Sequence, residues 1–101
     1  MHTPGMYSVE TYDASDAPDE RHPRPLGQFA NAAAALAAAR EVIEESLSLS
    51  LTAGMSAQDA YEEWRRNGEV PTIVERGGVA PLRFDPFAFA RSRAQELQRR
   101  V

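Results

Sequence analysis

The amino-acid sequence predicts an α+β fold, a small three-stranded antiparallel sheet packed against three helices in the order β-α-α-β-β-α. Three observations lead there. β-branched and aromatic residues alternate near the N-terminus, an alanine-rich helical repeat is followed by a second, capped one, and Gly77-Gly78 separates two short apolar runs ahead of a last helical segment.

The first strand is expected at about residues 6–12, where Tyr7, Val9 and Thr11 alternate with Ser8, Glu10 and Tyr12. Residues 13–25 hold four acids, two arginines and three prolines with hardly a large apolar side chain, the composition of a long acidic loop. From Phe29 to Leu51, Phe29, Ala33, Leu36, Ile43 and Leu47 recur at three- and four-residue intervals, and the abundant alanines cost little on entering a helix. Ala35, Ala38, Val42 and Leu49 form a second, weaker apolar strip on this main helix, and Arg40 projects close to the apolar stripe. Gly54 offers a helix stop.

Ser56 with Asp59 three residues later has the spacing of a capping box, which opens a second helix carrying Ala57, Ala60, Tyr61 and Trp64 on one face and ending at Gly68. Residues 71–76 and 79–84 read as a hairpin about Gly77-Gly78, with Pro81 confining the later strand to an edge or a bulge. Asp85-Pro86 is an N-cap followed by the position where a helix accepts proline, and Phe87, Ala90, Ala94, Leu97 and Val101 continue at helical spacing. The expected core is Phe29, Leu36, Ile43, Leu47, Tyr61, Trp64, Ile73, Leu82, Phe87 and Leu97.

A chain of 101 residues supplies one core, so residues 1–101 read as a single domain with residues 1–5 frayed. With no cysteine, the sequence excludes disulfides, thiolate-bound metal and a thiol nucleophile. His2 and His22 both read as solvated residues, and no spacing suggests a metal site or a phosphate-binding glycine loop. No cofactor and no catalytic residue are therefore expected. The acids at positions 41, 44, 45, 59, 62 and 63 read as solvated helix faces. Neither a signal sequence nor a membrane span is indicated, which predicts a cytoplasmic protein.

Charge is unevenly distributed. Residues 1–63 carry eleven acids against three arginines (−8), and residues 64–101 four acids against eight arginines (+4), within a net charge of −4. The plain reading is mutual attraction between the halves. Arg91, Arg93, Arg99 and Arg100, on the last helix, supply a second reading, weak nucleic-acid binding. Tyr61 and Trp64 beside Arg65 could line a small-ligand pocket or anchor a partner, although core packing is the simpler account of both. The spare apolar strip on the main helix favours a non-enzymatic protein-interaction or regulatory module, with an unknown protein partner or a second copy in a homodimer. Arg40, Tyr61, Trp64 and the four C-terminal arginines are thus the candidate interaction residues.

Several landmarks together resemble a family of small bacterial α+β domains of unknown function: Leu26-Gly27-Gln28-Phe29, Gly54-Met55-Ser56-Ala57 with Tyr61, Gly68-Glu69-Val70-Pro71 with Ile73, and the segment Phe84 to Arg91. The resemblance covers roughly residues 6–95. It implies a compact fold and a bacterial cytoplasmic setting, and brings no activity or catalytic residue with it.

Overall fold

A computed structural model describes residues 5–100, so His2, Val101 and most of the segment expected to fray lie outside the described residues. Three strands, β1 (Met6–Asp13), β2 (Arg24–Phe29) and β3 (Glu69–Arg76), form one antiparallel sheet in the order β2-β1-β3. Three helices, α1 (Ala32–Thr52), α2 (Ala57–Asn67) and α3 (Pro86–Gln98), complete the α+β architecture. The molecule is a plate measuring 53 × 32 × 17 Å, thin enough for two layers.

The class and helix count are those the sequence predicts, but one strand falls elsewhere. Residues 24–29, of which the sequence places 24 and 25 in the acidic loop and Phe29 in the main helix, make β2, and residues 79–84 form no strand. The loop is therefore 14–23, containing a single 3-10 turn at Pro18–Glu20. β2 hides from pattern analysis because a bulge breaks its alternation: Val9 faces Gly27 while Glu10 faces Pro25, leaving Leu26 as the extra residue. Gly27 is small for a reason, since a Cβ there would sit 3.2 Å from the Phe29 ring folded over it.

Gly77 and Gly78 do adopt positive φ, +72° and +75°, as a tight hairpin turn needs. The chain then leaves the sheet. Pro81 has no N–H to give a ladder, Leu82 N–H donates to the Glu75 carboxylate at 2.8 Å, and Ala80 C=O accepts from the Tyr7 hydroxyl at 2.7 Å. Val79, Leu82 and Phe84 still reach the core, so their apolar character served packing instead of pairing.

Each helix starts on a side-chain cap. Asn31 accepts from Ala34 N–H (2.8 Å), Ser56 from Asp59 N–H (3.1 Å), and Asp85 from the N–H groups of Phe87 and Ala88 (3.0 and 3.1 Å). α1 ends in a Schellman motif, Met55 N–H to Ser50 C=O and Gly54 N–H to Leu51 C=O, with Gly54 at φ +99°.

Two clusters make the core. Tyr7, Val9, Ala35 and Ala39 join the sheet to the first half of α1, where alanines let the helix lie close. Ile43, Leu47, Leu51, Tyr61, Trp64, Val70, Ala90 and Ala94 join the three helices to the end of the sheet. The buried line on α1 is thus Ala35, Ala39, Ile43, Leu47 and Leu51, rotated from the expected one, and Ala33 faces outward. Of the expected core there are two exceptions: Leu36 is half-buried outside both clusters, and the Phe87 ring packs 5.4 Å from Trp64 but remains 37% exposed.

Candidate interaction face and ligand cleft

β-Sheet edges are the simplest docking sites a small protein offers, and here both are blunted. Ala14 N–H donates to Gly68 C=O, so by alternation Glu69, Pro71, Ile73 and Glu75 direct their backbone groups away from β1. The Glu69 carbonyl is taken by the Trp64 indole N–H at 3.0 Å, Pro71 has no N–H, and the Glu75 carboxylate holds its own backbone N–H as well as that of Leu82. These two donors also hold the Glu75 carboxyl below its usual range. The edge of β2 is short, bulged and interrupted by Pro25.

Helix α1 is left with an uncovered flank. Leu26, from the β2 bulge, joins Ala38 and Val42 in lining a shallow cleft of about 320 Å³ whose remaining walls are Glu41 and Glu45. Leu49 continues the same strip and is 70% exposed. Of the four strip residues expected from the sequence, Ala35 joins the core, Ala38 is half-buried against it, and Val42 and Leu49 stay outside it. Leu26 gave no signal in advance, because its exposure follows from the bulge.

The other expected interaction residues scatter. Arg40 lies on the surface of α1 with its guanidinium 5.5 Å from the Phe89 ring, which is half-buried against Phe84 and Arg40. Trp64 is 1% exposed and packs between Tyr61 and Phe87, which makes it a core residue and not a contact for a partner. Tyr61 is buried except at one edge, where Arg91 stacks 5.2 Å from its ring centroid and reaches its hydroxyl at 3.4 Å. Tyr61 and Arg91 line a cleft of about 310 Å³ between α2 and α3 with Ala57, Gln58, Glu62 and Gln95.

Arg93 bridges helices rather than facing solvent. Its guanidinium lies 3.3 Å from Glu44 and 2.9 Å from Glu96, and the hydrogen bond to Glu96 raises its pKa above the ordinary arginine value. Of the four C-terminal arginines, Arg91, Arg99 and Arg100 are exposed without an ion pair among the described residues, Arg91 lying on Tyr61 instead. The expected attraction between the halves is present as a few contacts, Arg24–Glu69, Arg76–Glu10 and Arg93–Glu44, and not as apposed faces.

A third concave region was not legible in the sequence. A cleft of about 530 Å³ at the end of the sheet is lined by Tyr12 from β1, Ala14, Ser15 and Arg21 from the following loop, Arg65, Arg66 and Asn67 from the end of α2, and by Val70 and Phe87. Arg21 stacks 4.5 Å from the Tyr12 ring centroid. Glu62 binds Arg65 at 2.7 Å and lies 3.7 Å from Arg66, and the Arg65 hydrogen bond holds its carboxyl below the usual range. Both arginines also sit at the negative end of the α2 dipole.

The chain matches no protein-family model, no curated protein and no solved structure.

Proposed function

We propose that the chain is a non-enzymatic protein-interaction module whose docking face is the outer flank of α1 together with Leu26. The observation that carries this reading is the acid-rimmed apolar cleft of Leu26, Ala38 and Val42 between Glu41 and Glu45, continued by the exposed Leu49. An amphipathic partner helix with arginine or lysine beside its apolar anchors fits it, the apolar side chains entering between Leu26 and Val42 and the cations meeting the glutamates. A second copy of the chain is the other occupant, but a two-fold pairing of this face would bring its own acids together. The carboxylates whose pKa values move, Asp13, Glu62 and Glu75, each answer to donors that hold loops and helices in place. The sequence resemblance adds a bacterial cytoplasmic setting to this reading.

Titration of the ¹⁵N-labelled chain with a designed Leu/Arg amphipathic peptide, together with sedimentation velocity over a concentration series, tests it. The expected result is saturable shifts around Leu26, Ala38 and Val42 that vanish in Leu26→Glu, a change at a half-exposed position that leaves the fold intact. A dimer lost in the same variant would assign the face to a second copy. No peptide shifts and a monomer throughout would overturn the reading.

A further inference from the structure

We infer that the cleft lined by Arg21, Arg65 and Arg66 binds a small phosphate monoester carrying a flat ring, a ligand of the nucleoside monophosphate type. Three guanidiniums from two separate stretches of sequence, the loop after β1 and the end of α2, line one concavity, and no carboxylate lines it. Guanidinium is the side chain whose fork of donors matches a phosphate's oxygens. Glu62 is the one acid within ion-pair distance of the three among the described residues, so the group carries net positive charge with nothing in the cleft to neutralise it. Asp13, nearby on β1, is occupied: it accepts from the Ser15 N–H at 2.8 Å and the Ser15 hydroxyl at 2.6 Å.

Arg21 is the best-placed of the three. Its guanidinium is braced on Tyr12, and its Nε is enclosed with no hydrogen-bond partner among the described residues. With Nε enclosed and the guanidinium braced on the ring, the fork is held in place, so less freedom is lost when it meets a phosphate. The lining also includes apolar groups, Val70, Ala14 and the Phe87 ring, which is 37% exposed although it packs on Trp64. An exposed aromatic beside stacked guanidinium planes suits a flat ring attached to the phosphate. The volume of about 530 Å³ falls in the range that encloses a small ligand.

Adenosine monophosphate, adenosine and inorganic phosphate are the probes, titrated separately into the full ¹⁵N-labelled chain at low salt. The monophosphate should give saturable shifts at Ser15, Arg21, Arg66 and Asn67, phosphate weaker shifts at the same positions, and adenosine none. Arg21→Gln and Arg66→Gln should each weaken the monophosphate by roughly tenfold or more, the loss expected for one charge-assisted contact. Arg66 is exposed, so its variant should keep the thermal midpoint of the parent chain, which separates lost binding from lost fold. Absence of saturable shifts, or shifts unchanged in both variants, would overturn the inference. So would a single-stranded oligonucleotide binding more tightly than the monophosphate, since the site would then belong to a longer polymer.

Discussion

The indole N–H of Trp64 donates to the backbone carbonyl of Glu69 across 3.0 Å, tying the last turn of α2 to the outward-facing edge of β3. The same side chain is the largest fully buried one and meets Tyr61 and Phe87 at centroid distances of 6.1 and 5.4 Å. One residue therefore joins two helices and a strand. Trp64→Phe keeps most of the apolar volume but removes the donor and leaves a gap, and should lower stability by about 2 to 3 kcal/mol. Chemical denaturation monitored by far-ultraviolet circular dichroism checks this, with a lower midpoint expected at an unchanged slope.

Gly68 lies directly between these partners, and its role is spatial. Its φ is −87°, open to any residue, but a Cβ would fall 2.5 Å from Trp64 Cδ1 and 2.8 Å from the Trp64 carbonyl oxygen. That oxygen already accepts the Gly68 N–H at 2.8 Å, so the clash cannot be relieved by turning a side chain. Gly68→Ala should cost about 1 to 3 kcal/mol. Gly54→Ala makes the contrast, because open space surrounds Gly54 and its φ of +99° alone sets the penalty. Thermal midpoints of the two variants separate a steric cost, relieved only in part by Trp64→Leu because the Trp64 carbonyl oxygen stays in place, from a backbone cost that no partner change relieves.

The sequence made the helices legible and one strand illegible, for reasons that lie in particular residues. Ser56, Asp85 and Gly54 act locally through the adjoining turn, so their positions alone announced the helix ends. Residues 79–84 have strand composition, but whether an apolar run pairs or merely packs depends on Glu75 and Tyr7, which lie elsewhere in the chain. β2 was concealed by its bulge and by Pro25. The arginine-lined cleft has the same character: Arg21 and Arg66 are 45 positions apart and meet because β1 brings the loop back beside α2.

Acid should loosen the molecule at defined points. Asp13, Glu62 and Glu75 have pKa values lowered from 3.8, 4.5 and 4.5 by the Ser15 donors, by the Arg65 guanidinium and by the backbone N–H groups of Leu82 and Glu75, respectively. A carboxyl depressed in the folded chain contributes stability that is fully present above its unfolded pKa and is lost as pH falls through the folded one. Thermal midpoints should therefore be flat from neutral pH to about 5 and decline below about 4. Glu75→Ala should flatten part of that decline and, by amide hydrogen exchange, release the Leu82 N–H at every pH. An unchanged Leu82 exchange rate in that variant would show that Glu75 does not hold the segment.

Blocking of the β3 edge leads to the last prediction. Of the four residues whose backbone groups point outward there, Glu69, Pro71 and Glu75 are each disabled in a different way, leaving Ile73 as the one with both groups free. A strand cannot be added with one residue's bonds, since the ladder gains from several pairs in succession. Pro71→Thr with Glu75→Val restores two outward N–H groups, removes a charge and raises β propensity, while Trp64 continues to hold the Glu69 carbonyl. The double variant should associate through this edge with rising concentration, seen as growing light scattering and an intermolecular β band in the infrared. Adding Thr72→Lys, at a half-exposed strand residue, should return it to the behaviour of the parent chain, because a charge between the two restored donors replaces the protection that Pro71 and Glu75 supply. Association that persists in the triple variant would place the contact elsewhere on the molecule, the α1 flank with Leu26 being the first surface to examine by Leu26→Glu.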